Sequence, residues 1–152
     1  MTIQVIRSSY TGPGRVGDFS WMIDRPEYAR TLFVFNDNET QFYEHQHRQG
    51  TDHRCSPGGG NAAIRPYQCR TPPRATGVPT GRSGGYVGLA EGRGAIDDAI
   101  SRLDGLLATG DYDALALSWD TATRTLGVSI FAPGRDVLDY IVERIEETAA
   151  RH

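Results

Sequence analysis

Residues 114–131 read ALALSWDTATRTLGVSIF, two apolar runs on either side of a polar turn. Ala114–Trp119 predicts a buried strand and Asp120–Thr125 predicts a turn. Leu126–Phe131 predicts a second strand that returns beside the first in the antiparallel sense. This hairpin indicates a sheet that is mostly antiparallel.

Two amphipathic helices are predicted around the hairpin, Gly94–Ala108 before it and Arg135–Ala150 after it, because apolar residues recur there at helical spacing. Leu32–Phe35 adds another buried strand, and the Asx residues after it can cap a helix over Glu39–His45. We therefore predict a single α+β domain, residues 1–152, in which the two main helices pack on a mostly antiparallel sheet.

Shorter segments complete the predicted path of the chain. They are a strand at Ile3–Ser8, a candidate strand at Phe19–Ile23, a helical turn at Pro26–Arg30, and candidate short strands at Ala62–Arg65 and Ala75–Val78. The last two lie in the loop-rich residues 46–94. Compact domains rarely carry so long an irregular stretch without a functional reason.

The composition narrows the classes of protein. With 152 residues, a net charge of −3 and only short apolar runs, the chain fits one domain that binds neither duplex nucleic acid nor a membrane. The N-terminus has no charged-then-apolar leader, so we expect a cytoplasmic protein. Cys55 and Cys69 are then expected to be free thiols, because disulfides are rare in that compartment.

Arginine and glycine are concentrated in the middle of the chain. All 16 basic residues are arginines, and within residues 45–90 a single acid, Asp52, accompanies Arg48, Arg54, Arg65, Arg70, Arg74 and Arg82. Guanidinium groups fit phosphate oxygens two at a time, and glycine-rich backbone lets N–H groups approach an anion. The window predicts a site for a small anion, while the lack of lysine by itself is typical of a GC-rich coding sequence.

The first candidate binding segment is the run Asn36, Asp37 and Asn38, which lies where a buried strand meets a helix. Amide and carboxylate groups at such a position can contact ribose hydroxyls or the edge of a base. A capping box with an Asx turn is the structural alternative.

Two further segments offer backbone N–H groups and side chains for a phosphate. Residues 57–67, PGGGNAAIRPY, contribute Asn61, Arg65 and Tyr67, with a flexible surface loop as the alternative. Residues 72–86, PPRATGVPTGRSGGY, place stiff prolines beside permissive glycines, as a preformed anion pocket requires. They contribute Arg74, Thr80, Arg82, Gly84, Gly85 and Tyr86.

A metal site is the competing interpretation of the same region. Zinc-binding residue types cluster there, at His45, His47, His53, Cys55 and Cys69. The chain has no Cys-x-x-Cys pair, and two histidines two apart on a helix point about 200° away from each other. We therefore predict no metal and no other cofactor.

The order of segments resembles that of the phage anti-Thoeris signal-sequestering proteins. The resemblance lies in LFVFNDNETQF at residues 32–42, GGGNAAIRPY at 58–67 and RATGVPTGRSGGY at 74–86, followed by an amphipathic helix, a strand pair and a closing helix. It covers most of the chain, although Ala149–His152 lie outside it. It implies a non-enzymatic sponge that binds a cyclic ADP-ribose isomer made by an immune TIR-domain enzyme and withholds it from its effector.

The resemblance also implies a homo-oligomer, a dimer or larger, that acts in the cytoplasm of an infected bacterial host. Some members of the family hold cyclic oligonucleotides at a separate site. The expected ligand is thus a nucleotide of the ADP-ribose type that stays chemically unchanged. We expect a clamp of Arg65, Arg74 and Arg82 on its pyrophosphate. Asn36, Asp37 and Asn61 are expected on its ribose hydroxyls, and Tyr67 or Tyr86 on a ring face.

Two other functions remain open at this stage. One is a hydrolase or transferase of ADP-ribose-type nucleotides with Asp37 or Asp120 as the base. Arginine-rich surroundings argue against it, because they would lower the pKa of the carboxylate and weaken it as a base. The other is a binder of RNA ends or single strands, with Tyr67 and Tyr86 as stacking platforms.

Overall fold

The computed structural model describes residues 2–46, 55–128 and 132–152. The strands are β1 Gln4–Ser8, β2 Thr31–Asn38, β3 Ala75–Gly81, β4 Ala114–Asp120 and β5 Thr125–Leu126. The α-helices are α1 Phe19–Met22, α2 Glu39–Gln46, α3 Leu89–Leu107 and α4 Arg135–Ala150. A short 3₁₀ helix spans Pro26–Tyr28, and a second, the long 3₁₀ helix, spans Gly60–Cys69. No helix in these ranges is long and apolar enough to cross a membrane.

The main sheet is parallel, so the predicted mostly antiparallel sheet is wrong. The strands lie in the order β1-β4-β2-β3, and each neighbouring pair runs parallel. β5 runs antiparallel to β4, with Trp119 paired to Leu126 and Asp120 paired to Thr125. The predicted hairpin is therefore present as these two residue pairs, and residues 129–131 of its second strand lie outside the described residues.

The composition of the strands explains the parallel arrangement. Leu32–Phe35 and Ala114–Leu117 are buried at every position, without the alternation of a sheet that has one face in water. Such continuous apolar strands are typical of parallel sheets, which are covered on both faces because crossover connections run over them. The chain thus forms a single α+β domain as predicted, with a different sheet.

Two apolar clusters fill the space on either side of the sheet. Leu32 and Val34 pack in one cluster with the apolar stripes of α3 and α4. Phe33 and Phe35 pack in the other with α1 and the long 3₁₀ helix. Alternate side chains of β2 therefore enter opposite cores, as the pleat of a strand requires.

Most of the predicted elements are confirmed. α4 matches its prediction, α2 and β3 extend slightly further than predicted, and α3 begins earlier. Phe19–Ile23 is helical rather than a strand, because Asp18 caps α1 by accepting a hydrogen bond from Ser20 N at 3.1 Å. Ala62–Arg65 lies in the long 3₁₀ helix rather than in a strand.

β2 and β4 diverge toward their carboxyl ends. They pair along Thr31–Phe33, and the remainder of β2 continues beside β3. Gly127 occupies the gap between them. Its carbonyl oxygen accepts hydrogen bonds from Asn36 Nδ2 on β2 and from Ser118 Oγ on β4, both at 2.7 Å. The divergence opens the sheet at the edge where its strands end.

Candidate functional site

A cleft of about 970 Å³ opens at the carboxyl-terminal edge of the parallel sheet. Its volume lies in the range of about 300–1,000 Å³ that is common for small-molecule sites, and open parallel sheets bind ligands at this edge. Residues from the following parts of the chain line it: the segment after β1 with the start of α1, the end of β2 with Gln41 of α2, the glycine-rich segment with the long 3₁₀ helix, Thr80 of β3, the end of β4 with Thr121, and Gly127 and Val128 after β5.

The cleft brings together half of the residues predicted to bind ligand. These are Asn36, Asp37, Asn38, Asn61, Arg65 and Thr80. They come from three elements that are distant in sequence, and they meet because the parallel order places the ends of β2 and β3 at one edge. Thr80 is buried, and its hydroxyl lies 3.4 Å from the Asp37 carbonyl oxygen.

The three Asx residues of β2 have different structural roles. Asn38 caps α2, since its Oδ1 accepts a hydrogen bond from Gln41 N at 2.8 Å and its Nδ2 donates to Gln41 Oε1. The structural alternative therefore holds for Asn38. Asn36 instead joins two walls of the cleft, because its backbone N donates to Asn61 Oδ1 at 2.9 Å while its side chain reaches Gly127.

Asp37 and Arg65 form a buried ion pair in the wall of the cleft. Arg65 Nη2 lies 2.7 Å from Asp37 Oδ1, and the side chains are 2% and 0% exposed for the arginine and the aspartate. The same Oδ1 accepts from Asn38 N at 2.9 Å, and Arg65 Nη1 donates to the Ser56 carbonyl at 3.1 Å. The pair therefore fixes the long 3₁₀ helix to the end of β2, and Arg65 is not available to a pyrophosphate.

Two glycines leave the room that this ion pair needs. A β-carbon on Gly77 would lie 2.7 Å from Asp37 Oδ2, and one on Gly58 would lie 2.7 Å from Arg65 Nη1. Both contacts are shorter than van der Waals distance. Glycine at these positions is thus required for packing around the pair.

Burial raises the pKa of Asp37 above its ordinary value, and the attraction of the Arg65 guanidinium opposes this effect without cancelling it. Arg65 does lower the pKa of this carboxylate, as expected of a neighbouring arginine, but burial outweighs it and the net shift is upward, opposite to the expectation. Asp37 Oδ2 and Arg65 Nε are also buried without hydrogen-bond partners among the described residues. The Oδ2 atom is closed off from solvent, so a ligand in the cleft does not reach it.

The glycine-rich segment forms a second polar wall. Gly58, Gly59, Gly60 and Asn61 all line the cleft, and Gly60 adopts a positive φ of 59°, which favours glycine. The long 3₁₀ helix begins at Gly60. Gly58 N donates to the Ala62 carbonyl oxygen at 2.9 Å. Because the first N–H groups of a helix have no acceptors within it, Gly60 and Asn61 are the candidate donors beside the carboxamides of β2.

Tyr67 and Arg74, which were predicted to bind ligand, lie outside the cleft. The Tyr67 hydroxyl donates to the Asp24 carboxylate at 2.9 Å, and the Arg70 guanidinium lies 4.1 Å from the centre of its ring. Arg74 Nη2 donates to the carbonyl oxygens of Ile23 and Tyr28, at 3.1 and 2.8 Å. Tyr67 therefore joins the segment after α1 to the long 3₁₀ helix, and Arg74 joins that segment to the start of β3.

The end of the third predicted segment also lies elsewhere. Arg82 forms an ion pair with Glu39, whose other carboxylate oxygen accepts from the hydroxyl of the buried Tyr86 at 2.8 Å. Gly84 and Gly85 form a tight return beside β3, where a β-carbon on Gly85 would lie 2.7 Å from Pro133 N. These residues hold α2 and α3 in place, so the predicted arginine clamp is not assembled.

Several cleft residues were missed by the sequence interpretation. They are Ser9, Tyr10, Gly17, Asp18, Phe19, Ser20, Gln41, Ala62, Ser118, Trp119, Thr121, Gly127 and Val128, with Gly58, Gly59 and Gly60 noted only as part of the glycine run and Asp120 considered only as a base. Most of them follow β1 or β4. Their common signal was a polar segment directly after an apolar strand, which marks a site only when the strands run parallel.

Two further acids line the cleft, and both are engaged with backbone. Asp18 accepts from Gly14 N at 2.9 Å with Oδ2 and caps α1 with Oδ1. Asp120 Oδ1 accepts from Ala122 N at 2.9 Å and from Thr123 N at 3.3 Å, the pattern of an Asx turn. Asp120 is half-buried at the end of β4.

The cysteines form a disulfide, so the prediction of free thiols is wrong. Cys55 and Cys69 are bonded, with 6.0 Å between their Cα atoms. The bond joins the end of the long 3₁₀ helix to the segment that precedes the helix. The bond encloses the glycine-rich wall and Arg65. His47 and His53 lie outside the described residues. Within residues 2–46, 55–128 and 132–152, no group of three or more His, Cys, Asp or Glu side chains is placed to hold a metal.

Comparison of the chain with protein-family models, with curated proteins and with solved structures finds no match.

Proposed function

We propose that the protein binds a small nucleotide of the ADP-ribose type in this cleft and releases it chemically unchanged. The observation that carries the proposal is that carboxamide side chains and a glycine-rich backbone segment line the same cleft, at one edge of the sheet. Asn36 and Asn61 contribute carboxamides, and the segment Gly58–Gly60 contributes glycine backbone. A nucleotide with ribose and phosphate groups needs both kinds of contact.

Each wall suits a different part of such a ligand. Asn61 Oδ1 already accepts from Asn36 N, which leaves its Nδ2 as a donor toward the cleft for a ribose hydroxyl. The backbone N–H groups of Gly59 and Gly60 suit phosphate oxygens, because glycine lets an anion approach the chain closely. Gly58 N donates to the Ala62 carbonyl oxygen at 2.9 Å and so shapes the segment instead. Backbone donors thereby take the role that the sequence suggested for arginines.

Binding without chemistry is favoured by the state of Asp37. A general base must come within hydrogen-bond reach of the group that it deprotonates, or act through one water. The Asp37 side chain is 0% exposed, and its Oδ1 is held by Arg65 and Asn38. A carboxylate held in this way stabilises the wall of the site and does not activate a water molecule.

A second candidate function is hydrolysis of the same class of nucleotide with Asp120 as the base. It is favoured by one observation, the position of this carboxylate at the end of β4 on the wall of the cleft. The two functions predict different fates for the ligand. A binder returns it intact, whereas a hydrolase produces more than one equivalent of product, which Asp120→Asn would abolish.

Calorimetry with ADP-ribose, cyclic ADP-ribose and AMP tests the proposal. We expect heat of binding from at least one of them with folded protein. Asn61→Ala should weaken that binding by about 0.5–1.5 kcal/mol, the loss typical of one hydrogen bond. Arg82→Ala is the matched control, because Arg82 is paired with Glu39 outside the cleft and its removal should leave affinity unchanged. Absence of heat from every nucleotide would contradict the proposal.

The proposed biological role follows from the resemblance described above. A protein that holds an immune signalling nucleotide without altering it would lower the free concentration of the signal in an infected cell. The proposal includes self-association into a dimer or larger homo-oligomer, and a cyclic oligonucleotide as a further ligand class. Light scattering of the purified protein, with and without ligand, tests the association.

A further inference from the structure

Two exposed apolar side chains line the cleft. Tyr10 is 67% exposed and Val128 is 37% exposed, and both line the cleft. Tyr10 follows β1 and Val128 follows β5, so they come from two different walls. Within the described ranges, Val16 and Val87 are also exposed, at 53% and 80%, but neither lines the cleft. A large aromatic surface left in water beside a ligand site is a candidate contact for the ligand.

The segment that carries Tyr10 is tightly held. Gly17 has a φ of 103°, and a β-carbon there would lie 1.9 Å from the Ser9 carbonyl oxygen, so only glycine closes this loop. Gly14 N donates to Asp18 Oδ2 at 2.9 Å, which ties the loop to the start of α1. Tyr10 therefore projects from an ordered backbone, and a ligand that contacts it orders little of the chain.

The tyrosines that the sequence suggested for ring contacts are not available. Tyr86 is 1% exposed with its hydroxyl on Glu39, and the ring of Tyr67 is covered by Arg70. Tyr10 is the tyrosine that lines the cleft. It belongs to the segment after β1, whereas the carboxamides and glycines belong to β2 and the glycine-rich segment, so the lining combines polar groups with an aromatic ring from a different part of the chain.

We propose that the ring of Tyr10 is the stacking platform for the base of the bound nucleotide, with Val128 as a second apolar surface beside it. The inference rests on the proposed function and adds what the cleft selects, namely a ligand with a flat heteroaromatic base. Stacking on an aromatic side chain tolerates different bases, because each base has a π-face. The polar walls then hold the ribose and phosphates.

Calorimetry with ADP-ribose on four proteins tests the inference. The proteins are the wild type, Tyr10→Ala, Tyr10→Phe and Val87→Ala, the last a control that removes an equally exposed apolar side chain outside the cleft. Tyr10→Ala is expected to weaken binding at least about tenfold, whereas Tyr10→Phe and Val87→Ala should stay within about twofold of the wild type. Circular dichroism should show the same fold in all four, because both positions are exposed.

The outcomes separate this inference from the proposed function. Wild-type affinity in Tyr10→Ala would overturn the stacking platform and leave nucleotide binding in place. An equal loss in Tyr10→Phe and Tyr10→Ala would also overturn it, because the hydroxyl and not the ring face would then make the contact. No binding of any nucleotide by the wild type would instead overturn the proposed function, and the inference with it.

Discussion

Gly77 of β3 lies against the side chain of Asp37 of β2, and a β-carbon on Gly77 would stand 2.7 Å from Asp37 Oδ2. The absence of a side chain on β3 thus makes the space in which β2 buries a carboxylate. A carboxylate is seldom fully buried without a partner, and here Arg65 from the long 3₁₀ helix is that partner. The ion pair, and with it this wall of the cleft, therefore depends on the lack of a side chain at Gly77.

Gly77→Ala is expected to destabilise the protein by about 1–3 kcal/mol, the cost of an extra group in a filled core. The added carbon would push Asp37 away from Arg65. Urea unfolding measures the loss. Gly105→Ala is a suitable control, because Gly105 lies in α3 with open space around it and alanine favours a helix. Equal stability of Gly77→Ala and the wild type would contradict the claim that a β-carbon at position 77 displaces Asp37.

Removal of one partner of the buried ion pair should be costly. Arg65→Met is expected to lower the free energy of unfolding by about 3–5 kcal/mol, because it leaves the Asp37 carboxylate buried without a counterion. The double variant Asp37→Leu/Arg65→Met should lose less than Arg65→Met alone. Arg82→Met is the surface control, with an expected loss below about 1 kcal/mol since Arg82 is 70% exposed. A double variant less stable than both single variants would contradict this account of the pair.

The pH dependence of stability gives a separate test of Asp37. Its pKa is raised in the folded protein, chiefly by burial, so the folded state holds its proton at pH values where the unfolded state has lost it. The contribution of Asp37 to stability is therefore full below the ordinary pKa of about 3.9 and is lost as the pH rises through the folded-state pKa.

The comparison with Asp37→Asn isolates this contribution. The unfolding free energy of the wild type minus that of the variant should fall from about pH 4 upward and then level off. Urea unfolding at a series of pH values measures the difference. A difference that rises with pH would mean that Arg65 outweighs burial and that the pKa of Asp37 is lowered.

The disulfide should stabilise both the fold and the cleft. Cys55 and Cys69 are 14 residues apart, and closing a loop of that length contributes about 3 kcal/mol. Cys55→Ser/Cys69→Ser should therefore unfold at lower urea concentration than the oxidised wild type and bind nucleotide more weakly. A reductant should affect the wild type and not the double variant. Two reactive thiols in the unreduced wild type would contradict the assignment.

The sequence allowed the apolar elements to be predicted better than their arrangement. The run Leu32–Phe35 and the stripes of α3 and α4 are local signals, and they led to β2 and to the two main helices. Which strands pair with β4 cannot be deduced from the sequence of β4 and its immediate neighbours. Ala114–Phe131 has the pattern of a hairpin, yet β1 and β2 supply the neighbours of β4. The sign of a parallel sheet that the sequence did contain was the continuous apolar run Leu32–Phe35, which lacks the alternation of a strand with one face in water.

The site could be predicted only in part for the same reason. Asn36 and Asp37 were found because they follow the clearest strand, and Asn61 because it adjoins a glycine run. Tyr10 was missed because its proximity to them depends on strand order. Arg65, Arg74 and Arg82 look alike in sequence, and only the fold determines that Arg65 meets Asp37.

Recovery of the ligand is the most direct test of the central claim, that the protein binds an ADP-ribose-type nucleotide and returns it unchanged. The protein is incubated with ADP-ribose or cyclic ADP-ribose, separated from free ligand, denatured by heat, and the released material is analysed by chromatography. We predict the starting nucleotide, in proportion to the amount of protein. Product that accumulates with time at catalytic protein concentration, or no retained nucleotide at all, would contradict it.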